Sequence, residues 1–164
     1  MKQPRTVVAG LSLSAVALVA LVMHEGYSDR AIIPVPGDVP TIGFGTTGGV
    51  KMGDAIKPPQ ALARALTDVQ KFEGALKQCV RVPLYQHEYD VWISFSYNVG
   101  SGAFCSSTAV AKLNALDYAG ACNELSRWVY VKGRKVQGLV NRREAERTLC
   151  LKPIPSLPSL GAIA

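Results

Sequence analysis

The chain has 164 residues, of which 48% are apolar and 18% charged. This length and composition fit one domain with a hydrophobic core and exclude a disordered chain. The formal net charge of +6 favours anionic partners such as nucleic acid, anionic lipid or acidic glycan. The only histidines, His24 and His87, lie far apart, which excludes a multi-histidine metal site. The sequence therefore predicts neither a metal site nor a cofactor.

An uncharged apolar segment occupies residues 6–23, behind Lys2 and Arg5. As a helix this segment spans roughly 27 Å, close to the hydrocarbon thickness of a bilayer. The two cations favour a cytoplasmic N-terminus and an exported remainder. Residues 1–23 are therefore predicted to be a signal sequence or a signal anchor of the inner membrane.

The apolar segment favours an uncleaved anchor, because a small-x-small cleavage pattern occurs inside it, at residues 15–17, and not after Met23. Many of its residues are small or weakly hydrophobic. They either make a weak anchor or form a packing face against another membrane helix. Because the sequence shows no second span for such packing, we favour the weak anchor.

The rest of the chain predicts an α+β fold, with a small sheet beside a larger helical part. Prolines and glycines interleave with apolar residues over residues 26–49, which is typical of a short hairpin-like sheet. Helical periodicity and capping residues predict helices over 59–79, 86–97, 107–115, 117–128 and 141–149. The proline-rich residues 153–164 predict a loose tail.

The four cysteines are Cys79, Cys105, Cys122 and Cys150. They lack the close pairs of a zinc site, and in an exported domain their even number suggests two disulfides. Of the three possible connectivities we favour Cys79–Cys105 with Cys122–Cys150. The second bond would join two neighbouring helices.

Glu25 is the strongest candidate for chemistry, because it follows the apolar segment directly and precedes Gly26, a residue that can end a helix. A carboxyl at such a boundary can act as a general acid. The predicted hairpin can fold Asp38 or Thr41 over it, where either can position a water on the opposite face of a sugar ring, as in inverting glycosidases. Spacing alone equally allows an ordinary interfacial carboxylate and an ordinary strand threonine.

Four motifs in the same order resemble those of the phage-type lysozymes, glycoside hydrolase family 24. They are residues 25–27 (EGY), 40–45 (PTIGFG), 96–100 (SYNVG) and 142–147 (RREAER). With its N-terminal segment, the chain resembles the signal-anchor-release endolysins of phages that infect Gram-negative bacteria. The resemblance implies a lysozyme-like fold, with a β-hairpin lobe and a helical lobe over residues 24–152.

The resemblance also implies a muramidase that cleaves the β-1,4 bond between N-acetylmuramic acid and N-acetylglucosamine in peptidoglycan. Glu25 then corresponds to the general acid and Thr41 to the family's threonine. Asn98 corresponds to an amide of the substrate cleft. Arg142 corresponds to an arginine that pairs with the catalytic glutamate, and Arg143 is the alternative.

One position departs from the family pattern. The family usually has an Asp or Cys between its glutamate and its threonine, and Pro34 or Val35 occupies that position here, depending on the residue from which it is counted. Asp38 is the nearest carboxylate, and Asp29 is a further alternative. Either Asp38 has taken over the role, or Thr41 positions the water without a carboxylate.

Other polar and aromatic residues have simpler interpretations. We expect His24 to be exposed, and Trp92 and Trp128 to lie in the core rather than to bind sugar. Basic residues outnumber acidic ones between Lys112 and Lys152. They form either a glycan-facing patch or, as we prefer, a solvated surface of mixed charge.

The resemblance gives the anchor a regulatory meaning. While residues 6–23 lie in the bilayer, the helix that carries Glu25 cannot pack on the domain. Collapse of the membrane potential is expected to free a monomeric enzyme into the periplasm, where the segment refolds as the first helix. Alternatives are an inactive lysozyme-fold, glycan-binding membrane protein and a nucleic-acid binder, which the export signal disfavours.

Overall fold

The computed structural model describes residues 4–153 and shows an α+β fold, so the predicted fold class is confirmed. The tail expected over 153–164 lies outside the described residues except for Pro153. The helices are α1 (Ala15–Glu25), α2 (Pro58–Cys79), α3 (Gln86–Val99), α4 (Ser101–Cys105), α5 (Thr108–Asn114), α6 (Tyr118–Glu124) and α7 (Gln137–Cys150). The strands are β1 (Ser28–Ile32), β2 (Thr41–Gly43), β3 (Tyr130–Val131) and β4 (Arg134–Lys135).

The N-terminal segment is not one continuous helix in the folded chain. Thr6 exchanges two backbone hydrogen bonds of 2.8 Å with Leu84, and a 3-10 turn follows at Val8–Gly10. Helix α1 begins only at Ala15, because the Ser14 hydroxyl oxygen caps it by accepting from the backbone N–H of Ala17. Within residues 4–153, no helix has both the length and the apolar character needed to cross a membrane.

Helix α3 runs through the centre of the main core, where Tyr89, Trp92 and Phe95 are fully buried. Leu21 of α1 is buried in the same core. Trp128 is partly buried, with its ring centroid 5.2 Å from that of Phe95. Both tryptophans therefore belong to the core, as predicted.

Two disulfides fasten the helical lobe. Cys79 at the end of α2 is bonded to Cys105 of α4, and Cys122 of α6 is bonded to Cys150 of α7. The favoured connectivity is confirmed, as is the expectation that the second bond joins two neighbouring helices.

The small lobe is built on the antiparallel pair β1–β2, in which Ser28 faces Gly43 and Ile32 faces Thr41. Ile42 is buried with Ala31 and Val50 in a core of its own. The hairpin-like sheet predicted over residues 26–49 is therefore present, and a loop over 33–40 joins its two strands.

The second hairpin, β3–β4, was not predicted. Its strands have two residues each, too few for a periodic pattern, and its turn holds Lys132 and Gly133 at positive φ (48° and 76°). The neighbouring helices also differ from expectation. A 3-10 turn over Leu125–Arg127 replaces the end of the predicted fourth helix, and α7 begins at Gln137 instead of Asn141.

Candidate active site

Glu25 is the last residue of α1, where Gly26 adopts φ +70° and ends the helix. Because Leu21 is buried one turn earlier, the end of the helix is fixed against the core. The Glu25 side chain is 20% exposed. The fold therefore holds this carboxyl at the junction of the two lobes. The neighbouring His24 is exposed, as expected.

Glu25 faces a cavity of about 870 Å³ between the β1–β2 lobe and the helices α2 and α3. The wall of this cavity also includes Asp38, Thr41 and Asn98. Four of the five predicted site residues thus meet in one cavity. The fifth, Arg142, reaches Glu25 from α7.

Arg142 is buried and divides its hydrogen bonds among three residues. Its Nη1 donates to Glu25 Oε1 at 3.1 Å, its Nε donates to Glu146 Oε1 at 3.2 Å, and its Nη2 donates to the Ser94 carbonyl oxygen at 3.3 Å. The pairing expected from the family motif is therefore present, and it involves Arg142 rather than Arg143.

Arg143 is buried on the same helix and holds a different part of the site. Its Nη1 donates to Glu146 Oε2 at 2.6 Å, and its Nη2 donates to the side-chain oxygen of Asn98. Burial lowers the pKa of this guanidinium, and the charge of Glu146 opposes that shift. Because the Asn98 oxygen is bonded to Arg143, its amide NH₂ remains available to the cavity.

Thr41 and Asp38 lie on the hairpin side of the cavity. The partly buried Thr41 hydroxyl donates to the Val39 carbonyl at 3.2 Å, which leaves its oxygen free to accept a hydrogen bond. Asp38 is exposed, in a turn where its N–H donates to the Val35 carbonyl at 2.9 Å. The alternative carboxylate Asp29 is exposed on β1 and is not among the residues that line the cavity.

Gly45 and Tyr97 complete the wall around Glu25; both lie within the family motifs at residues 40–45 and 96–100, but no role was predicted for either. At Gly45, with φ +84°, an added Cβ would lie 3.1 Å from Glu25 Oε2 and 3.6 Å from the Tyr97 ring. The Tyr97 hydroxyl donates to the Phe44 carbonyl at 3.0 Å. Burial raises the pKa of Tyr97, and the charges of Asp68 and Glu25 add to this shift, so the phenol stays protonated.

Ser94 and Glu146, which contact Arg142 outside the cavity, were also missed. The sequence held one usable signal, since Glu146 follows Arg142 by one helical turn, a spacing at which an acid and a base on a helix pair. Nothing in the sequence indicates that α3 supplies Ser94 to the same cluster.

The basic residues of the C-terminal region do not form one patch. Arg142 and Arg143 are buried in the site, whereas Lys112 and Arg127 both pair with Glu124. The cations of the β3–β4 hairpin are exposed. The expectation of a surface of mixed charge therefore does not apply to Arg142 and Arg143, and for the other cations it stays a prediction.

Comparison with known proteins identifies this arrangement. The family model described as phage lysozyme matches residues 22–146. A SAR-endolysin of Pseudomonas phage phiKMV is 41% identical over 155 residues, which cover 92% of this chain and 95% of the relative. An endolysin from Escherichia coli O157:H7 phage FAHEc1 has a solved structure with a TM-score of 0.76 and 35% identity, covering 90% of this chain and 98% of that one. The muramidase domain of SpmX from Asticaccaulis excentricus gives a TM-score of 0.80 at 25% identity, covering 87% and 99%. The chain therefore belongs to the phage lysozyme family of glycoside hydrolases.

Proposed function

We propose that Glu25 is the general acid with which this phage lysozyme hydrolyses the β-1,4 bond between N-acetylmuramic acid and N-acetylglucosamine. One observation carries the proposal: the Glu25 carboxyl faces a cavity that Asp38, Thr41 and Asn98 also line. On its other side, Arg142 of α7 holds this carboxyl through a hydrogen bond of 3.1 Å from Nη1 to Glu25 Oε1. A carboxyl fixed beside a glycan-sized cavity is the group that protonates a leaving oxygen in glycosidases.

In this mechanism, protonated Glu25 donates to the glycosidic oxygen while the bond from that oxygen to C1 of muramic acid breaks. A water attacks C1 from the opposite face and inverts its configuration. The Thr41 hydroxyl donates a hydrogen bond to the Val39 carbonyl, so the hydroxyl oxygen accepts a hydrogen bond from this water. Asp38, at the cavity wall, takes the proton that the water loses.

Asn98 lines the cavity, and the buried Arg143 holds it from behind. Since Arg143 occupies the amide oxygen of Asn98, the NH₂ group donates to a carbonyl or hydroxyl oxygen of the glycan. Asn98 is therefore proposed to bind substrate. The proposed reaction uses no cofactor.

We further propose that residues 6–23 hold the enzyme at the inner membrane, facing the periplasm, until release of the intact segment makes it a periplasmic monomer. The names of several relatives, SAR-endolysins, support this regulation. The fold supplies a reason for inactivity before release. Leu21 is part of the core and Glu25 ends the same helix, so a segment in the bilayer leaves both the core and the cavity incomplete.

The catalytic proposal is tested by digesting purified Gram-negative sacculi with wild type, Glu25→Gln and Glu144→Gln. Glu144 is an exposed residue of α7 whose only ion pair within the described structure, to Arg147, is 3.5 Å long, so its substitution is a matched control. Mass spectrometry should find muropeptides with reducing-end muramic acid for wild type and the control alone. Equal release by Glu25→Gln would refute the acid, and sacculus binding without release by wild type would favour the inactive glycan-binding alternative.

The release proposal is tested in cells that express the full chain without any pore-forming lysis protein. Addition of an uncoupler should lyse cells with wild type within minutes. Cells with Glu25→Gln should stay intact although the protein moves from the membrane to the periplasmic fraction. Lysis that still requires a separate pore after uncoupling would contradict membrane release.

A further inference from the structure

Glu146 lies outside the cavity but joins the two arginines of the site. It is buried on α7, and its Oε1 accepts from Arg142 Nε at 3.2 Å and from the Ser94 hydroxyl at 3.1 Å. Its Oε2 accepts from Arg143 Nη1 at 2.6 Å. Each oxygen of this carboxylate is therefore bonded to a different guanidinium.

We propose that Glu146 is a positioning residue for catalysis. It orients Arg142 toward Glu25 and offsets part of the positive charge of Arg142, so that Glu25 can carry a proton. This inference rests on the proposed role of Glu25 as general acid. Glu146 itself is not among the residues that line the cavity. It acts through Arg142 and, on the other side, through the arginine that holds Asn98.

The charge balance of the cluster explains the proposal. In wild type, Arg142 and Arg143 carry two positive charges, and Glu146 and Glu25 can carry two negative ones. Without the Glu146 charge, both cations act on Glu25 alone and favour its ionised form, because an adjacent opposite charge stabilises a carboxylate. A smaller fraction of the enzyme then holds the proton that the reaction needs.

Charged groups other than Glu146 also surround Glu25. The charged and titratable side chains that line its cavity or contact it are Arg142 from α7, Tyr97 from α3, Asp38 from the hairpin loop, and Asp68 and Lys71 from α2. Asp68 is already bonded to Thr46 and Lys71, at 2.7 and 2.8 Å. Within residues 4–153, Glu146 is the one carboxylate besides Glu25 that bonds to Arg142.

Arg143 also depends on Glu146 for its position. Its Nε is buried and has no hydrogen-bond partner within the described part of the chain, so its bonds to Glu146 and Asn98 hold it. The Glu146 carboxylate thus fixes both arginines, of which Arg142 contacts Glu25 and Arg143 contacts Asn98. A change at Glu146 is expected to affect both the protonation of Glu25 and the affinity for glycan.

The test is the pH–rate profile of sacculus hydrolysis by wild type, Glu146→Gln, Glu146→Asp and the control Glu144→Gln. For Glu146→Gln, the alkaline limb of the kcat/KM profile should shift to lower pH by about one unit. Activity at neutral pH should then fall about tenfold, and the loss should shrink toward acidic pH. Glu146→Asp keeps the charge, so it should hold the limb near the wild-type position even if KM rises.

A double variant, Glu146→Gln with Arg143→Gln, distinguishes charge balance from simple support of the fold. It removes one charge of each sign and should return the alkaline limb toward that of wild type. A purely structural role predicts a loss by the same factor at every pH and a double variant worse than either single one, which would overturn the inference. If Glu25→Gln is inactive and the limb does not move, only the role of Glu146 fails. If Glu25→Gln retains activity, the proposed function itself fails.

Discussion

An arginine–glutamate cluster packs against helix α3 near each of its ends, and the two clusters differ in the number of carboxylates that their cations hold. Near its start, Arg5 donates to Glu88 at 2.9 and 2.7 Å and lies over the rings of Tyr85 and Tyr118, at 4.3 and 3.5 Å. Near its end, Arg142 and Arg143 share Glu146, but Arg142 also bonds to a second carboxylate, Glu25, which faces a cavity.

The first cluster also lines a cavity, of about 380 Å³, but its one carboxylate accepts from Arg5 on both oxygens and Arg5 pairs with no second carboxylate. It fixes the N-terminal segment to the domain, together with Glu73 and Asp90, which accept the backbone N–H groups of Leu13 and Ser14 at 2.7 and 3.0 Å. The second cluster differs in that its cation Arg142 holds a second carboxylate, Glu25, at the wall of its cavity. The same chemical pair therefore stabilises the fold at one end of α3 and, in the proposed mechanism, positions the general acid at the other.

Removal of Arg142 should have the largest effect on both activity and stability. Arg142→Met leaves two carboxylates without their shared cation, which typically costs about 3 kcal/mol of unfolding free energy. The value of kcat/KM on sacculi should fall at least about 100-fold, the range of general acid catalysis. Thermal unfolding and turnover below the Tm measure the two effects. Arg147→Gln, a change at a less buried arginine of the same helix, should leave both nearly unchanged, and a similar loss there would contradict the assignment.

A methyl group at Gly45 should disturb the cluster of Arg142 and Glu25 from the cavity side. Gly45→Ala forces an L residue to φ +84° and places Cβ 3.1 Å from Glu25 Oε2. We expect about 1–2 kcal/mol of backbone strain and a roughly tenfold loss of kcat/KM from the displaced carboxyl. Gly53→Ala is the matched control, since φ is +97° there and no heavy atom lies within 4 Å of the added Cβ. Equal activity losses in the two variants would show that Gly45 acts through strain alone.

Removal of Arg5 should affect stability and leave the chemistry unchanged. Arg5→Gln loses two charge-assisted hydrogen bonds and its contacts with two aromatic rings, and the side chain is 27% exposed. The expected loss of unfolding free energy is about 1–2 kcal/mol, after allowance for solvent screening. Below its lowered Tm, the variant should turn over sacculi at the wild-type rate. Loss of turnover at an unchanged Tm would make Arg5 part of the site and end the distinction between the clusters.

The smallest expected effect concerns a third ion-pair cluster, Glu124 with Lys112 and Arg127, whose ion pairs involve no residue of the other two. Hydrogen bonds from Lys112 and Arg127 lower the pKa of Glu124 in the folded chain. Its stabilising contribution is therefore present above the unfolded-state pKa of about 4.5 and is lost as the pH falls through the folded-state value. Glu124→Gln should reduce the acid-induced loss of stability by about 0.5 kcal/mol. Tm measured from pH 6 to pH 3 tests this, and an unchanged acid profile would contradict it.

The sequence predicted the parts of the fold that depend on local pattern. Periodicity located the long helices within a few residues, and the prolines and glycines located the first hairpin. The start of α1 was not predictable from hydropathy, because the break before Ala15 depends on Asp90 accepting from the N–H and the hydroxyl of Ser14. That contact joins residues far apart in sequence.

The site shows the same division. The motifs named Glu25 and Thr41, and Asp38 was the nearest carboxylate to the position that departs from the family pattern; the structure places all three at one cavity. Glu146 and Ser94 were missed because their roles arise where α3 packs on α7. No short motif encodes the meeting of two helices.

The most direct test of Glu25 as an acid opposite a water held by Thr41 is the anomeric configuration of the first product. Soluble peptidoglycan glycan fragments would be cleaved in an NMR tube, and the new reducing-end muramic acid followed before mutarotation equilibrates it. Inversion predicts that the α anomer appears first. Initial appearance of the β anomer would contradict this mechanism, because retention requires a protein nucleophile in contact with C1 instead of a water held by Thr41.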